Sequence, residues 1–176
     1  AAAAALLAGT ALAQETSIKI GVLNDRSGVY ADLSGEGSVV AARMAVEDFD
    51  AAAKGIKVEI VSADHQNKPD IASNIARQWI DEAGVDVIAD VPTSSAALAV
   101  HEIVREKNKI FLMSGPAASE LTGEKCSPNS VHWTYDTWAL AHGTGSAMVA
   151  QGGDSWFFLT ADYAFGHALE RDTAAV

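Results

Sequence analysis

Three clusters of small and hydroxyl-bearing residues carry most of the chemistry this sequence offers: residues 24–30, Pro92-Thr93-Ser94-Ser95, and Gly115-Pro116-Ala117-Ala118-Ser119. Side chains of this size let backbone N–H groups approach a ligand. The two later clusters are expected to run into helix N-termini, whose free donors and positive dipole end attract a carboxylate. The guest this predicts is a small anion or zwitterion. The same residues also make ordinary structure: Thr93, Ser94 and Ser95 cap a helix, and Gly115 and Pro116 turn the chain. A second group, Tyr135-Asp136 and Asp162-Tyr163-Ala164-Phe165, sets aromatics beside a carboxylate. Aromatic rings there clamp an apolar ligand body, while Asp136 accepts from an ammonium or hydroxyl. The alternative for Tyr163 and Phe165 is packing at the start of the following helix.

Signatures of catalysis are missing. Gly35-Glu36-Gly37-Ser38 is similar to a dinucleotide loop but lacks the third glycine and lies well after the preceding strand, and no Walker Gly-Lys-Ser/Thr occurs. There is no Gly-x-Ser-x-Gly elbow. His65, His101, His132, His142 and His167 show no HExxH spacing, and Cys126 is the only cysteine, which excludes a multi-cysteine metal cluster. No catalytic residue, cofactor or metal is therefore expected. His101 reads as a half-exposed surface residue. His65 and Asp64 sit in the polar loop after the second strand, where a cleft role stays open.

Positioning these loops requires a regular scaffold, and the hydropathy pattern supplies one. An apolar run at 18–23 precedes Val39, Ala42, Val46 and Phe49 at helical spacing, with Gly55 as the stop. Ile56, Val58 and Ile60 alternate with Lys57 and Glu59, which predicts a strand with one wet face near a sheet edge. Pro69 and Asp70 open a helix whose stripe runs Ala72, Ile75, Ala76, Trp79, Ile80 and Ala83 before Gly84. A strand at 85–91, a helix at 95–107 and a strand at 110–114 follow. Apolar strands alternating with amphipathic helices predict an α/β, doubly wound parallel sheet covered on both faces, with ligands at the carboxyl ends of its strands. Beyond a polar loop come a short strand at 131–135, a helix at 138–150, an apolar run at 155–159 and a final helix-like stretch.

The composition narrows the class. The chain has 176 residues, 49% of them hydrophobic, and a net charge of −11, which suits a globular domain that repels nucleic acid and anionic lipid. Residues 1–13 are uncharged and close on Ala11-Leu12-Ala13, the small-x-small pattern before a signal-peptidase cut. The expectation is an exported chain lacking its first residues. A lone strand and helix after residue 135 have nothing to bury against, so a fragment is also expected.

Ile18-Lys19-Ile20-Gly21-Val22 with Ser27-Gly28, then Ser94-Ser95, then the string from Ser114-Gly115-Pro116-Ala117-Ala118 through Ser119-Glu120-Leu121-Thr122, then Tyr163-Ala164-Phe165-Gly166, occur in an order that suggests a family. The chain resembles the type 1 periplasmic solute-binding proteins of the branched-chain amino-acid (Leu/Ile/Val-binding) class that serve ABC importers. The resemblance implies two α/β lobes joined by hinge strands. Residues 1–13 would be part of a signal peptide, 14–134 the first lobe, and 135–176 the hinge and the beginning of the second lobe. It implies that Ser94, Ser95, Ala117, Ala118 and Ser119 grip a ligand carboxylate, that Tyr30 lines the wall, and that Tyr135, Asp136, Tyr163 and Phe165 approach from the hinge and second lobe. The partners implied are a carboxylate-bearing small molecule and the inner-membrane ABC permease subunits, for a monomer working in the periplasm. The sequence departs from the family, whose amino-acid binders typically place a Thr soon after the fourth strand's alanine, in having Ser119 as the nearest hydroxyl there, and in the aromatic segment Trp133-Thr134-Tyr135-Asp136-Thr137-Trp138. Both departures put an aromatic carboxylate ahead of branched-chain amino acids. A secreted α/β hydrolase completed by downstream residues, or a sensor ectodomain of the same fold, remain the competing readings.

Overall fold

β1 (Thr16–Asn24) and β2 (Ile56–Asp64) pair in parallel along their whole length, with Thr16 opposite Ile56 and Asn24 opposite Asp64. β3 (Val87–Asp90) pairs with the other side of β1, β4 (Ile110–Met113) with β3, and β5 (Ser130–His132) with β4, so that the order is β2-β1-β3-β4-β5 and every pair is parallel. The computed structural model describes residues 16–176, and the leader expected at 1–13 lies outside the described residues. β2 is the edge strand its alternation predicts, with Lys57 and Glu59 facing water.

One face of the sheet is closed by α2 (Pro69–Asp81) and α3 (Ser94–Glu106). Pro69 needs no N–H partner at a helix's first position, and Gly84 turns the chain out of the helix at φ 69°. The α2 stripe buries Ala72, Ala76 and Ile80. The α3 stripe buries Ala96, Ala97, Val100, Ile103 and Val104 against Leu23, Ile88, Phe111 and Met113. Each of these larger side chains contributes about 1.5–3 kcal/mol by leaving water. Trp79 lies so close to β1 that a Cβ at Gly21 would sit 2.5 Å from its ring, which is why a glycine interrupts that apolar strand.

The opposite face departs from the expectation of full cover. Among the described residues α1 (Gly35–Phe49) stands alone on that side. It leaves an apolar trough of about 500 Å³ over β1, β3, β4 and β5, lined by Val22, Ala42, Ala89, Leu112, Val131 and Trp133. Phe49, assigned by spacing to the inner stripe of α1, is 56% exposed for the same reason.

The last third differs more. The expected helix at 138–150 is interrupted: α4 (Thr137–Leu140) and α5 (Ser146–Ala150) flank a wide turn at Ala141–Gly145, where two glycines weaken the helical preference. The apolar run 155–159 forms no strand, because no neighbouring strand lies beside it among the described residues, and Phe157 and Leu159 are exposed. α6 (Ala164–Ala174) packs on α3, with Ala168 inside the same core. His101 is a further correction. The loop between β4 and β5 folds back over α3, so the ring is fully buried, with Nε2 2.6 Å from the Lys125 carbonyl and Nδ1 3.0 Å from the Ser130 hydroxyl.

Candidate functional site

Parallel strands bring the loops after β1, β3 and β4 to one rim. The loop after β1 is built on Asp25, whose buried carboxylate accepts the Gly28 N–H (2.7 Å) and the Tyr30 N–H (3.0 Å). A side chain at Gly28 would collide with that carboxylate, at 2.6 Å. The Asp25-x-x-Gly28 spacing is the sequence signal for such an Asx turn, and it aims Tyr30 at the cavity. After β3 the chain bends through Asp90 (φ 78°) and Val91 (φ 54°), a left-handed pair that is costly for a β-branched residue. The Asp90 carboxylate holds this bend by accepting from the Asn24 amide (3.2 Å) and the Ser114 hydroxyl (2.7 Å).

These loops line a half-open cavity of about 110 Å³, on the order of one that takes a benzene ring (~150 Å³). Tyr30, Ser94, Ala117, Tyr135, Tyr163 and Phe165 line it, together with Leu33, Pro92 and Gly115. The other four candidates lie around it. The Ser95 hydroxyl accepts the Ala164 N–H (3.2 Å), tying α3 to the first residue of α6. Ala118 is fully buried. Ser119 donates its N–H to Thr137 (3.0 Å) and its hydroxyl to Asp172 (2.8 Å), and the Asp136 carboxylate caps α4 by accepting the Ala139 N–H (2.7 Å). Of the two later loops only the one after β3 enters a helix; the one after β4 enters a single turn at Ser119–Leu121.

Ser94 organises the rim. Its Oγ accepts the N–H groups of both Ala117 (3.1 Å) and Ala118 (3.2 Å), so the amides expected to face a ligand are already bonded within the protein. A hydroxyl has two acceptor sites and one donor. With both acceptor sites taken, the Ser94 proton remains to donate into the cavity that Ser94 lines. The first-turn N–H groups of α3 add unpaired donors and the positive end of the helix dipole. Opposite, the hydroxyls of Tyr30 and Tyr163 hydrogen-bond to each other, and Phe165 lies 6.0 Å from the Tyr163 ring. Burial, with Tyr30 alongside, pushes the Tyr163 phenol above its ordinary pKa, which keeps it neutral. No charged side chain lines the cavity. Among the described residues no cluster of three or more His, Cys, Asp or Glu side chains is placed to hold a metal ion.

A family model for periplasmic binding proteins matches residues 17–176. No curated protein matches the chain. A solved periplasmic binding protein from Burkholderia mallei is 52% identical with a TM-score of 0.87, the match covering 90% of this chain and 42% of that one. A branched-chain amino acid ABC transporter periplasmic ligand-binding protein from Burkholderia xenovorans is 38% identical (TM-score 0.75, 90% and 43% covered). A solute-binding protein of an ABC transporter from Rhodopseudomonas palustris, solved with 3,4-dihydroxybenzoic acid, shares the fold at 23% identity (TM-score 0.80, 90% and 43% covered). The chain thus spans about two fifths of the length of these structures.

Proposed function

Because the chain belongs to the periplasmic binding protein family, we propose that it captures a small carboxylate outside the cytoplasm and hands it, without chemical change, to an ABC import permease in the inner membrane. In this reading 14–134 form the first lobe and 135–176 the hinge and the beginning of a second, and the protein works as a monomer. The observation that carries it is the Ser94 hydroxyl at the wall of an aromatic-lined cavity: the Ala117 and Ala118 N–H groups take its acceptor sites, so what it has left to offer a ligand is a donor. A carboxylate is the complementary group.

The guest we favour is an aromatic carboxylate, ahead of a branched-chain amino acid. An amino acid needs an acceptor for its ammonium as well as donors for its carboxylate, and a bare cation leaving water is costly. No Asp or Glu lines the cavity, and the Asp136 carboxylate is turned to the α4 cap. Tyr135, Tyr163 and Phe165 suit a flat apolar body. The net charge of −11 sets a long-range field against any anion, but it fades over about 10 Å at ordinary salt, so the local donors decide.

The test is isothermal titration calorimetry of the full-length protein with benzoate, 3,4-dihydroxybenzoate and leucine. Binding by the benzoates and none by leucine is the expected result. Leucine binding without benzoate binding would reverse the assignment, and hydrolysis of an ester analogue would replace capture by catalysis.

A further inference from the structure

Behind the cavity, where β1, β2 and β3 end, lies a buried polar cluster that ligand contact leaves unused. His65 is fully buried, and its backbone N–H donates to the Asn24 carbonyl (2.8 Å). Its Nδ1 accepts the Asn67 N–H (3.0 Å), so the proton of the neutral ring sits on Nε2. The Asn67 side-chain oxygen accepts the Thr93 hydroxyl (2.6 Å), and Thr93 immediately precedes Ser94, which carries the Ala117 and Ala118 amides. Two hydrogen bonds, joined through Asn67 and continued by the peptide link from Thr93 to Ser94, therefore connect the His65 ring to the cavity rim.

We propose that His65 is a positioning residue for the ligand cavity: its neutral Nδ1 holds Asn67, and through Thr93 fixes the first turn of α3, so that protonating His65 loosens the rim at Ser94, Ala117 and Ala118. The geometry stands by itself, and the effect on affinity rests on the carboxylate reading above. A proton on Nδ1 faces the Asn67 N–H, donor against donor, and that contact breaks. Gln66 and Asn67 both sit at φ 54°, a costly pair; the Gln66 N–H on Asp64 (2.7 Å) and the Lys68 N–H on the His65 carbonyl (2.9 Å) still hold the turn, but the Asn67 N–H loses its acceptor and that residue its share of the support. His65 Nε2 and Asn24 Oδ1 are buried without partners among the described residues, so the ring has no second anchor.

The charged groups facing the ring are Asp25 from the loop after β1, Asp64 at the end of β2 and Asp90 at the end of β3. The nearby cations turn elsewhere, Arg26 to Glu36 and Lys68 to the Gln66 side chain. Burial, which disfavours the imidazolium, outweighs the three carboxylates and holds His65 below its ordinary value of 6.5, neutral at physiological pH. Between 6.5 and that lower value the unfolded chain takes up a proton that the folded ring refuses, so the contribution of His65 to stability is complete above 6.5 and is lost as the pH falls below it.

The experiment compares the parent protein with H65N, which keeps a non-titrating acceptor at the δ1 position, and H65L, which has none. Amide NMR spectra and 3,4-dihydroxybenzoate titrations are recorded from about pH 7.5 to about pH 5. In the parent, the Asn67, Ala117 and Ala118 amides shift together along one curve, the Kd rises about fivefold or more, and 15N shifts place the ring proton on Nε2. H65L shows the weakened binding throughout, and H65N removes the pH dependence. Amides that titrate equally in H65N and the parent, or a ring proton on Nδ1, would overturn the proposal. Amides that follow His65 in a protein binding no probe would uphold the coupling and overturn the ligand assignment.

Discussion

Ser94→Ala is expected to cost about 2–4 kcal/mol of folding stability, because one deleted oxygen leaves two buried N–H donors unpaired. Ala117 is 2% exposed and Ala118 fully buried, so both N–H groups lose their acceptor at buried positions. For a chain of this size the midpoint of thermal unfolding falls by about 5–15 °C. The neighbouring Ser95→Ala is the internal control: it frees only the Ala164 N–H, in a half-buried position, and should cost about 0.5–1.5 kcal/mol. Urea unfolding of both variants measures the difference. Equal losses would mean that the Ser94 hydroxyl does not carry the two amides. Ser94→Ala should also cost ligand affinity at temperatures where it is folded, since it removes the donor into the cavity.

The sheet and its helices were legible because they rest on local rules. Pro69 and Gly84 bracket α2, and the Lys57 and Glu59 alternation marks an edge strand; each states its place without knowledge of the rest of the chain. Six of the ten candidate site residues meet in one cavity because a parallel sheet brings the loops after its strands to one rim. What sequence reading missed is non-local. Helical spacing makes His101 half-exposed because it says nothing of the loop between β4 and β5, which folds over it. The bonds from the Ala117 and Ala118 amides to Ser94 span 23 and 24 residues, so no pattern in either segment announces them. Asn67 and Thr93 are likewise 26 residues apart. The run 155–159 has the apolarity of a strand, but a strand also needs a neighbour to pair with, and apolarity does not supply one.

Asp172→Ala should detach the start of α4 and the turn after β4 from α6, at a cost of about 3 kcal/mol. One carboxylate oxygen accepts from the Thr137 hydroxyl (2.6 Å) and the Ser119 hydroxyl (2.8 Å), while the other takes the Arg171 guanidinium at 2.8 and 3.0 Å. Thr137 is fully buried and also accepts the Ser119 N–H, so removing Asp172 strands a chain of donors. Arg171 is half-exposed and keeps Glu120, so its ion pair adds little to the loss. Burial alone would raise the Asp172 pKa; the hydrogen bonds from Thr137, Ser119 and Arg171 outweigh it and hold the carboxyl below the ordinary aspartate value of 3.8. The ionised carboxylate therefore contributes its full stability above 3.8 and loses it as the pH falls through the lower folded value. Asp172→Asn retains an acceptor but no charge, so its deficit against the parent should be largest near neutrality and should shrink in acid. Urea unfolding of the two proteins at about pH 7 and about pH 3 checks this, and a deficit unchanged in acid would show that the carboxylate charge does not hold the junction together.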